Sequence, residues 1–471
     1  MLMSKSSCHV TIVGGGITGL SAAFYLQREI EQKGLPIRFQ LVEEGERLGG
    51  KIRTWRHEGY VIELGPDSFL ERKPSAAQLA RDLGLEDQLV RNSTGQSYIW
   101  HRGVLEPIPV GAVFGVPTRL KPFLTTRLVS WPGKLRAAAD LFLPATRTDE
   151  DQSVGQFFRR RLGNEWVDNL IQPLLSGVYS GDMDQLSLSA SFPQFARLEK
   201  QHGSLIKAMM QTRPQANTGG KPQGMFLTLR KGLESLVEAI EARLPSDAVH
   251  KGAGVAAIEA KDGKGYRVKL KDGREWETDA IILTTPHSVT ETLLRPFLHV
   301  PALPQAKPHM VATIAMGFPQ EEVKLEVDGT GFIVPRQAGP RITACTWVHR
   351  KWPHMVPDGK ALLRCFVGRA HEQEFMNMTD EEIVGMALDD LRKIMKIGKE
   401  PEFYRVTRLQ NAIPYVVGHQ KWVDEVEGML QHRLPGVRLA GASYRGVGLP
   451  DCIDQGKKAV ADTLSHLKLG E

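Results

Sequence analysis

Cys8–Val13 is an apolar, β-branched run that stops at Gly14-Gly15-Gly16, where the periodicity changes from a strand's to a helix's. Over residues 20–30, Leu20, Ala23, Phe24 and Ile30 share one helical face. Lys33-Gly34-Leu35-Pro36 ends that helix, because proline cannot continue the backbone ladder and glycine readily takes the closing conformation. Ile37–Val42 is a second apolar strand. Strand, glycine turn, helix and strand in succession predict a βαβ unit on a parallel sheet.

The pattern shifts near residue 100. From 100 to 215 the chain is rich in Leu, Arg, Phe and Pro, and Val154, Phe157, Phe158, Leu162, Trp166 and Leu170 recur at helical spacing. This stretch reads as a mostly helical insertion, closed by the polar, glycine-rich segment 216–222. A helix is expected over 233–244. Tyr266, Val268 and Leu270 alternate with Arg267, Lys269 and Lys271, Asp272-Gly273 supplies a turn, and Glu275-Trp276-Glu277 begins the return strand. Ala280–Leu283 is a continuous apolar strand. Residues 301–409 mix strands with one helix, over 380–395, and a last helix is expected over 453–467. The predicted fold class is α/β (α+β overall). A discontinuous Rossmann-like domain takes 1–99, 222–300 and 410–471, the helical insertion takes 100–215, and an α+β domain takes 301–409.

At 471 residues the chain can bury the cores of two or three domains. No run approaches the ~18 consecutive apolar residues of a spanning helix. Val10-Thr11-Ile12-Val13 leads into glycines rather than a cleavage site, so no signal peptide is expected. Cys8, Cys345, Cys365 and Cys452 form no C-x-x-C pair. Neither a disulfide framework nor a metal centre is therefore expected, and a reducing, cytoplasmic setting follows. The net charge of +6 suits an acidic ligand or an anionic membrane surface. The one tight basic run, Arg159-Arg160-Arg161, is too short for nucleic-acid binding and reads as a solvated helix face.

Gly14-Gly15-Gly16-Ile17-Thr18-Gly19 fits G-x-G-x-x-G between a predicted strand and a predicted helix. The first glycine permits the turn, the second lets backbone approach a pyrophosphate, and the third lets helix pack on strand. The free N–H groups of the helix start then meet the phosphate charge. Glu43 closes the second strand, where a carboxylate can accept from a ribose hydroxyl and disfavours a 2′-phosphate. NAD and FAD both remain open at this point. Arg47-Leu48-Gly49-Gly50-Lys51 separates them. This R-x-G-G segment is similar to that of the FAD-dependent amine oxidase superfamily, with cations for a diphosphate and glycines for close approach. Val255, in Gly252-Ala253-Gly254-Val255, suits backbone contact with an adenine. Gly446-Val447-Gly448-Leu449-Pro450 precedes the last helix, whose dipole would stabilise a negative flavin N1. A second dinucleotide fingerprint is lacking, which favours electrons drawn from an organic substrate.

Taken with these turns, Gly65-Pro66-Asp67-Ser68-Phe69, the run from Gln172 to Asp182 and Gly448-Leu449-Pro450-Asp451-Cys452 resemble the HemY-type porphyrinogen oxidases of Gram-positive bacteria. The resemblance covers essentially the whole chain. It implies an FAD domain, a substrate-binding domain (301–409) and a helical domain able to touch membranes. It also implies an FAD site built from Gly14, Gly15, Gly16, Ile17, Thr18, Gly19, Glu43, Glu44, Lys51, Gly65, Pro66, Asp67, Ser68, Val255, Val447, Gly448 and Leu449, beside Arg47, Gly49 and Gly50 of the second turn. Lys73 matches a lysine near the substrate in this branch and is the catalytic candidate. Its charge would meet a propionate or assist loss of a pyrrole N–H proton. Two departures stand out. Leu64 follows Glu63 where close relatives usually carry arginine. An arginine that the eukaryotic branch places near this chain's Ser97-Tyr98 is absent, which favours coproporphyrinogen.

The implied activity is six-electron oxidation of coproporphyrinogen III to coproporphyrin III in haem biosynthesis, with dioxygen as acceptor and hydrogen peroxide released. Protoporphyrinogen IX is the alternative substrate. Other superfamily enzymes (a polyamine oxidase or a carotenoid desaturase) and a non-enzymatic binder of the same fold, such as a Rab GDP-dissociation inhibitor, are the rival readings. A downstream chelatase is the expected protein partner. Val110, Val113, Phe114, Val116, Phe123, Leu124, Trp131 and 141–143, interleaved with Arg and Lys, are read as walls of an apolar substrate cavity, with peripheral membrane contact as the alternative.

Overall fold

The computed structural model describes residues 7–146, 150–179, 182–211, 224–261, 265–299, 301, 309–369, 372–411 and 415–469. The expected closing linker at 216–222, and Ser180 and Gly181 of the run from Gln172 to Asp182, lie outside the described residues.

A five-stranded sheet runs in the order Val249–His250, Ile37–Val42, Cys8–Val13, Ala280–Leu283, Val437–Leu439, and every pair in it is parallel. Both faces are covered, which is why its central strands carry continuous apolar runs rather than alternation. On one face Val10, Ile12, Phe39 and Leu41 pack against the helices Ile17–Lys33, Glu234–Glu241 and Leu449–His466. On the other, Val13, Val42, Ile281 and Leu283 meet an antiparallel meander, Val255–Ala260, Tyr266–Leu270 and Glu275–Thr278, with the helices His287–Leu294 and His419–Arg433 behind it. The first helix closes at Gly34, whose αL backbone (φ 61°) lets its N–H reach the Ile30 carbonyl.

A second sheet has seven strands in the order Phe403–Asn411, His309–Pro319, Lys360–Val367, Ala344–Trp347, Gly331–Ile333, Tyr98–His101, Val104–Pro107. Only Gly331–Ile333 and Tyr98–His101 pair in parallel. Ala312, Ile314, Met316, Leu363 and Cys365 turn one face onto the helix Asp380–Ile394. That helix is opened by a capping box between Thr379 and Glu382. The expected domain boundary at 99/100 is corrected here. It would cut the hairpin formed by Tyr98–His101 and Val104–Pro107, which belongs to this sheet. Its pairing with Gly331–Ile333, and not the helical periodicity beyond it, decides where this segment goes.

The helical unit packs Phe157, Phe158, Trp166, Leu170, Phe192 and Phe195 into one core. Helical backbone runs through Asn164–Trp166, a π-type stretch at Val167–Ile171, and Gln172–Tyr179. Pro173 has no N–H to donate back to the preceding turn, which accounts for the local change of ladder. The basic run also differs from expectation. Arg159 and Arg160 are partly solvated, but Arg161 is fully buried, paired with buried Asp140 and 3.3 Å from Glu199. Its position on the inward helix face makes burial unavoidable, and the paired carboxylates make it tolerable.

Candidate functional site

Two helix N-termini converge beside the parallel sheet. The helices Ile17–Lys33 and Leu449–His466 lie side by side in the same sense, with Thr18 against Cys452 and Ala22 against Gly456. Neither start is capped by a side chain. Free N–H groups and two dipoles therefore point to one place, which suits an anionic ligand.

The glycine turn feeding the first helix is tightly held. Gly14 has φ 106°, a conformation that disfavours a side chain, and a Cβ there would lie 2.7 Å from Thr284 Oγ1. A Cβ on Gly19 would lie 1.9 Å from the Gly14 carbonyl oxygen, so helix and turn can meet only at glycine. Gly16, by contrast, has nothing within 4 Å of such an atom; this is the open side of the turn. Ile17 and Thr18 turn their side chains inward, Thr18 toward Cys452, and leave backbone at the mouth.

Glu43 grips the turn, its Oε2 accepting the Gly15 N–H at 2.6 Å and its Oε1 that of Gly45 at 2.8 Å. Glu44 meets Lys271 at 2.5 Å, beside Gly254. Val255 buries its side chain, and a register shift between Val255 and Ala257 interrupts the meander there. The second glycine turn lies against the first: the Gly49 N–H donates to the Gly15 carbonyl at 2.8 Å, and Gly16 bridges Gly49. Arg47 folds back onto this turn. Its guanidinium donates to the carbonyls of Leu48, Gly50 and Ile52 at 2.9, 2.5 and 3.0 Å. It shapes the turn. Lys51 stays exposed.

The next segment comes equally close, since a Cβ on Gly65 would lie 1.8 Å from the Lys51 carbonyl oxygen. Gly65 in turn accepts from Arg364 at 2.5 Å, and Asp67 pairs with Lys351 at 2.7 Å and accepts from Ser68 at 2.7 Å. These cations hold the Asp67 carboxyl well below its usual range despite its burial. Pro66, between them, is half-buried. Arg364 and Lys351 are not singled out by any motif. The sign available was a lone arginine in the apolar run Leu362-Leu363-Arg364-Cys365-Phe366.

Lys73 is held by Asp451, in the first turn of the last helix, at 2.5 and 2.7 Å. The contact joins the segment after Gly65–Ser68 to the last helix. Gly446 donates to the Tyr415 hydroxyl at 2.5 Å, Val447 packs on the helical core, and Gly448 and Leu449 open the last helix. Burial pushes the Cys452 thiol up to about 11, so it is neutral packing and not a nucleophile.

One face of the seven-stranded sheet looks onto this site. Pairing aligns Thr407, Thr313, Phe366, Ala344, Ile333 and Ile99 in a row across six strands. Phe366, Ala344, Ile333 and Thr407 are only partly covered, and Thr313 bonds the Leu64 carbonyl at 3.4 Å. The row is a broad, mainly apolar floor reaching from the Gly65 loop to the helical unit. A cavity of about 470 Å³, lined by His9, Arg38, Asp247 and Trp276, lies instead at the starts of the parallel strands, away from the glycine turns.

The flavin containing amine oxidoreductase family matches residues 17–464. The chain belongs to that family. It is 49% identical over 469 residues to the coproporphyrinogen III oxidase of Bacillus subtilis (strain 168), covering 99% of this chain and 100% of the relative. The coproporphyrinogen III oxidase of Staphylococcus aureus (strain NCTC 8325 / PS 47) is 41% identical, over 99% and 100%. A crystal structure from Exiguobacterium sp. 255-15 superposes with TM-score 0.86 at 39% identity, over 98% of this chain and 99% of that one. The chain is therefore a flavin-dependent oxidoreductase.

Proposed function

We propose that this enzyme binds FAD and oxidises coproporphyrinogen III to coproporphyrin III. The observation that carries the substrate is the 49% identity, over the full length of both chains, to an enzyme of that name. The geometry supports it. The floor from Thr407 to Ile99 spans six strands, room for a flat tetrapyrrole, and at Thr313 it abuts the Leu64–Gly65 segment, which packs on Lys51 of the second glycine turn. Coproporphyrinogen carries four carboxylates, and the chain's net charge of +6 is of the matching sign.

When bound, the flavin supplies the two-electron chemistry that no side chain can, three times per substrate, with dioxygen as the final acceptor. In the proposed site the protein holds and orients. The first helix start and the turns at Gly14–Gly16 and Gly49–Gly50 take the pyrophosphate, and Glu43 takes the ribose by exchanging its present backbone donors. Val255 backs the adenine, while Gly65–Ser68 and Val447–Leu449 border the ring. Lys73 and Asp451 fix the last helix against that border. A polyamine oxidase reading is disfavoured, because Lys351, Arg364 and Lys73 lie around the cleft where a cationic amine would need uncompensated acid.

The helical unit carries Trp131, Leu135 and Phe142 at 64, 72 and 88% exposure, with Lys134 over the Trp131 ring. Val116 and Phe123, by contrast, are core. The expected cavity wall is thus divided, and we propose that its exposed half makes peripheral membrane contact. No helix among the described residues is long and apolar enough to cross a membrane.

The deciding experiment offers the purified holoenzyme reduced coproporphyrinogen III and protoporphyrinogen IX in air and follows porphyrin fluorescence. A higher kcat/KM for the first is expected. No fluorescence gain with either overturns the proposal, and chromatography of the released cofactor tests FAD.

A further inference from the structure

Beneath the Gly65–Ser68 loop the chain gathers four charged side chains, two of them buried. Glu63 ends the strand Tyr60–Glu63 and is 4% exposed, as is Arg364 on the strand Lys360–Val367. Asp67 on the loop and Lys351 on the short helix Val348–Lys351 complete two carboxylates against two cations. Glu63 Oε1 accepts the Leu233 N–H at 2.6 Å and Oε2 accepts the Thr54 hydroxyl at 2.9 Å. Thr54 in turn accepts from the Glu234 N–H and donates its own N–H to the Glu234 carboxylate.

Glu63, Asp67, Arg364 and Trp352 line a cavity of about 10 Å³ among apolar neighbours. Arg364 Nε and Trp352 Nε1 are buried and, among the described residues, without a protein partner. The volume matches one water molecule, and two donors with two carboxylates are the partners a buried water needs. The environments of the two acids are split. Lys351 and Arg364 keep Asp67 charged, whereas burial outweighs the Leu233 and Thr54 bonds at Glu63 and pushes it up to about 7.

We propose that Glu63 is a proton store for the oxidation site, reached from Asp67 through a water in the cavity they share. The proposal rests on the porphyrinogen reading. In each two-electron step a bridging C–H bond breaks and its hydrogen leaves with the electron pair to the cofactor. A proton also leaves, from a pyrrole N–H in two of the three steps and, after tautomerisation, from a second bridging carbon in the other, and it passes to Asp67, then through the water to Glu63. When the electron pair moves on to dioxygen, which takes two protons to become hydrogen peroxide, Glu63 returns its proton and the other comes with the transferred hydrogen. The store is reset once per cycle, and the charge beneath the loop never departs from balance by more than one.

The test is anaerobic single turnover of the FAD-loaded enzyme with coproporphyrinogen III, following flavin absorbance together with a pH-indicator dye. Reduction of the flavin adds negative charge beside the loop, which would raise the proton affinity of Glu63 above its resting value of about 7, so wild-type enzyme just above pH 7 is expected to release fewer protons per flavin reduced than Glu63→Gln, however slowly the variant is reduced. The infrared band of a protonated carboxyl is expected to appear on reduction in wild type and not in the variant. If Glu63→Gln does not fold, wild-type release alone decides, since it must rise as pH falls through 7 and fills the store beforehand. Equal release by both proteins, or pH-independent release by wild type, overturns the store while leaving the porphyrinogen reading standing. Absence of flavin reduction by the substrate overturns both.

Discussion

Lys73 Nζ lies 2.5 and 2.7 Å from the two carboxylate oxygens of Asp451, a residue 378 positions further along the chain. The pair ties the segment after Gly65–Ser68 to the first turn of the last helix, and so fixes both borders of the proposed flavin ring. Lys73 is 43% exposed, so the pair itself contributes only about 0.2–1 kcal/mol to stability. Lys73→Met and Asp451→Asn should therefore barely shift the denaturation midpoint, yet lower kcat/KM about tenfold, equivalent to ~1.4 kcal/mol of transition-state stabilisation. The charge-swapped double variant Lys73→Asp/Asp451→Lys should recover part of the loss. Unchanged kinetics in the single variants would show the pair to be surface decoration.

The two helix starts converge because Gly456 lets them. A Cβ there would lie 2.5 Å from the Thr18 carbonyl oxygen and 3.2 Å from the Ala22 nitrogen, both rigid backbone. Gly456→Ala must spread the helices, at about 1–3 kcal/mol for an overpacked contact. Flavin retention should fall with it, because the diphosphate reads the spacing of the two N-termini. Dialysis of the variant followed by visible absorbance checks this; full retention of flavin would separate helix spacing from cofactor binding.

In the helical unit, Arg161 and Asp140 are both fully buried, and Asp140 also accepts from the Ser204 hydroxyl at 2.6 Å and the Ile206 N–H at 2.9 Å. Removing one charge strands the other, at about 3–5 kcal/mol. Arg161→Met should consequently cost more than Arg161→Met/Asp140→Leu, a sign opposite to simple additivity. Urea titrations of the two proteins measure the difference; an additive result would mean that the arginine's carbonyl contacts, not the ion pair, carry the energy.

What could be read from the residues was whatever acts locally. Gly14 to Gly19 and Arg47 to Lys51 place two turns within one stretch of backbone, so spacing alone locates them. The apolar run Ala280–Leu283 announces a strand buried on both faces. Glu63, Lys351 and Arg364 could not be assembled in this way, because packing of a hairpin, a short helix and the seven-stranded sheet brings them together across about 300 positions. Arg161 was misplaced for a related reason. A basic triplet looks solvated until a helix turns its third member inward toward Asp140. Likewise the hairpin at Tyr98–His101 has no local mark of the sheet it joins, since its partner Gly331–Ile333 lies in another part of the chain.

Glu63 makes stability depend on pH in a direction unusual for a carboxylate. In the folded chain it keeps its proton up to about pH 7, whereas the ordinary value is 4.5. Between those values the native state binds more protons than the unfolded one, so the contribution of Glu63 is complete below 4.5 and is lost as pH rises through 7. The full change is roughly 3 kcal/mol, at 1.36 kcal/mol per pKa unit. Asp67, held low, works in the opposite sense but only below its ordinary value of 3.8, outside this window. His349 and His354 do overlap it: burial pushes both down to about 4 from 6.5, so the unfolded state binds more protons there and their contribution grows with pH. The measurement must therefore be a difference. Urea midpoints of wild type and Glu63→Gln, taken at intervals across the window, should show wild type losing stability relative to the variant as pH rises. Parallel curves would mean that Glu63 is ionised throughout, supported by Arg364 more strongly than burial opposes it, and would leave the acid without the proton affinity that a store requires.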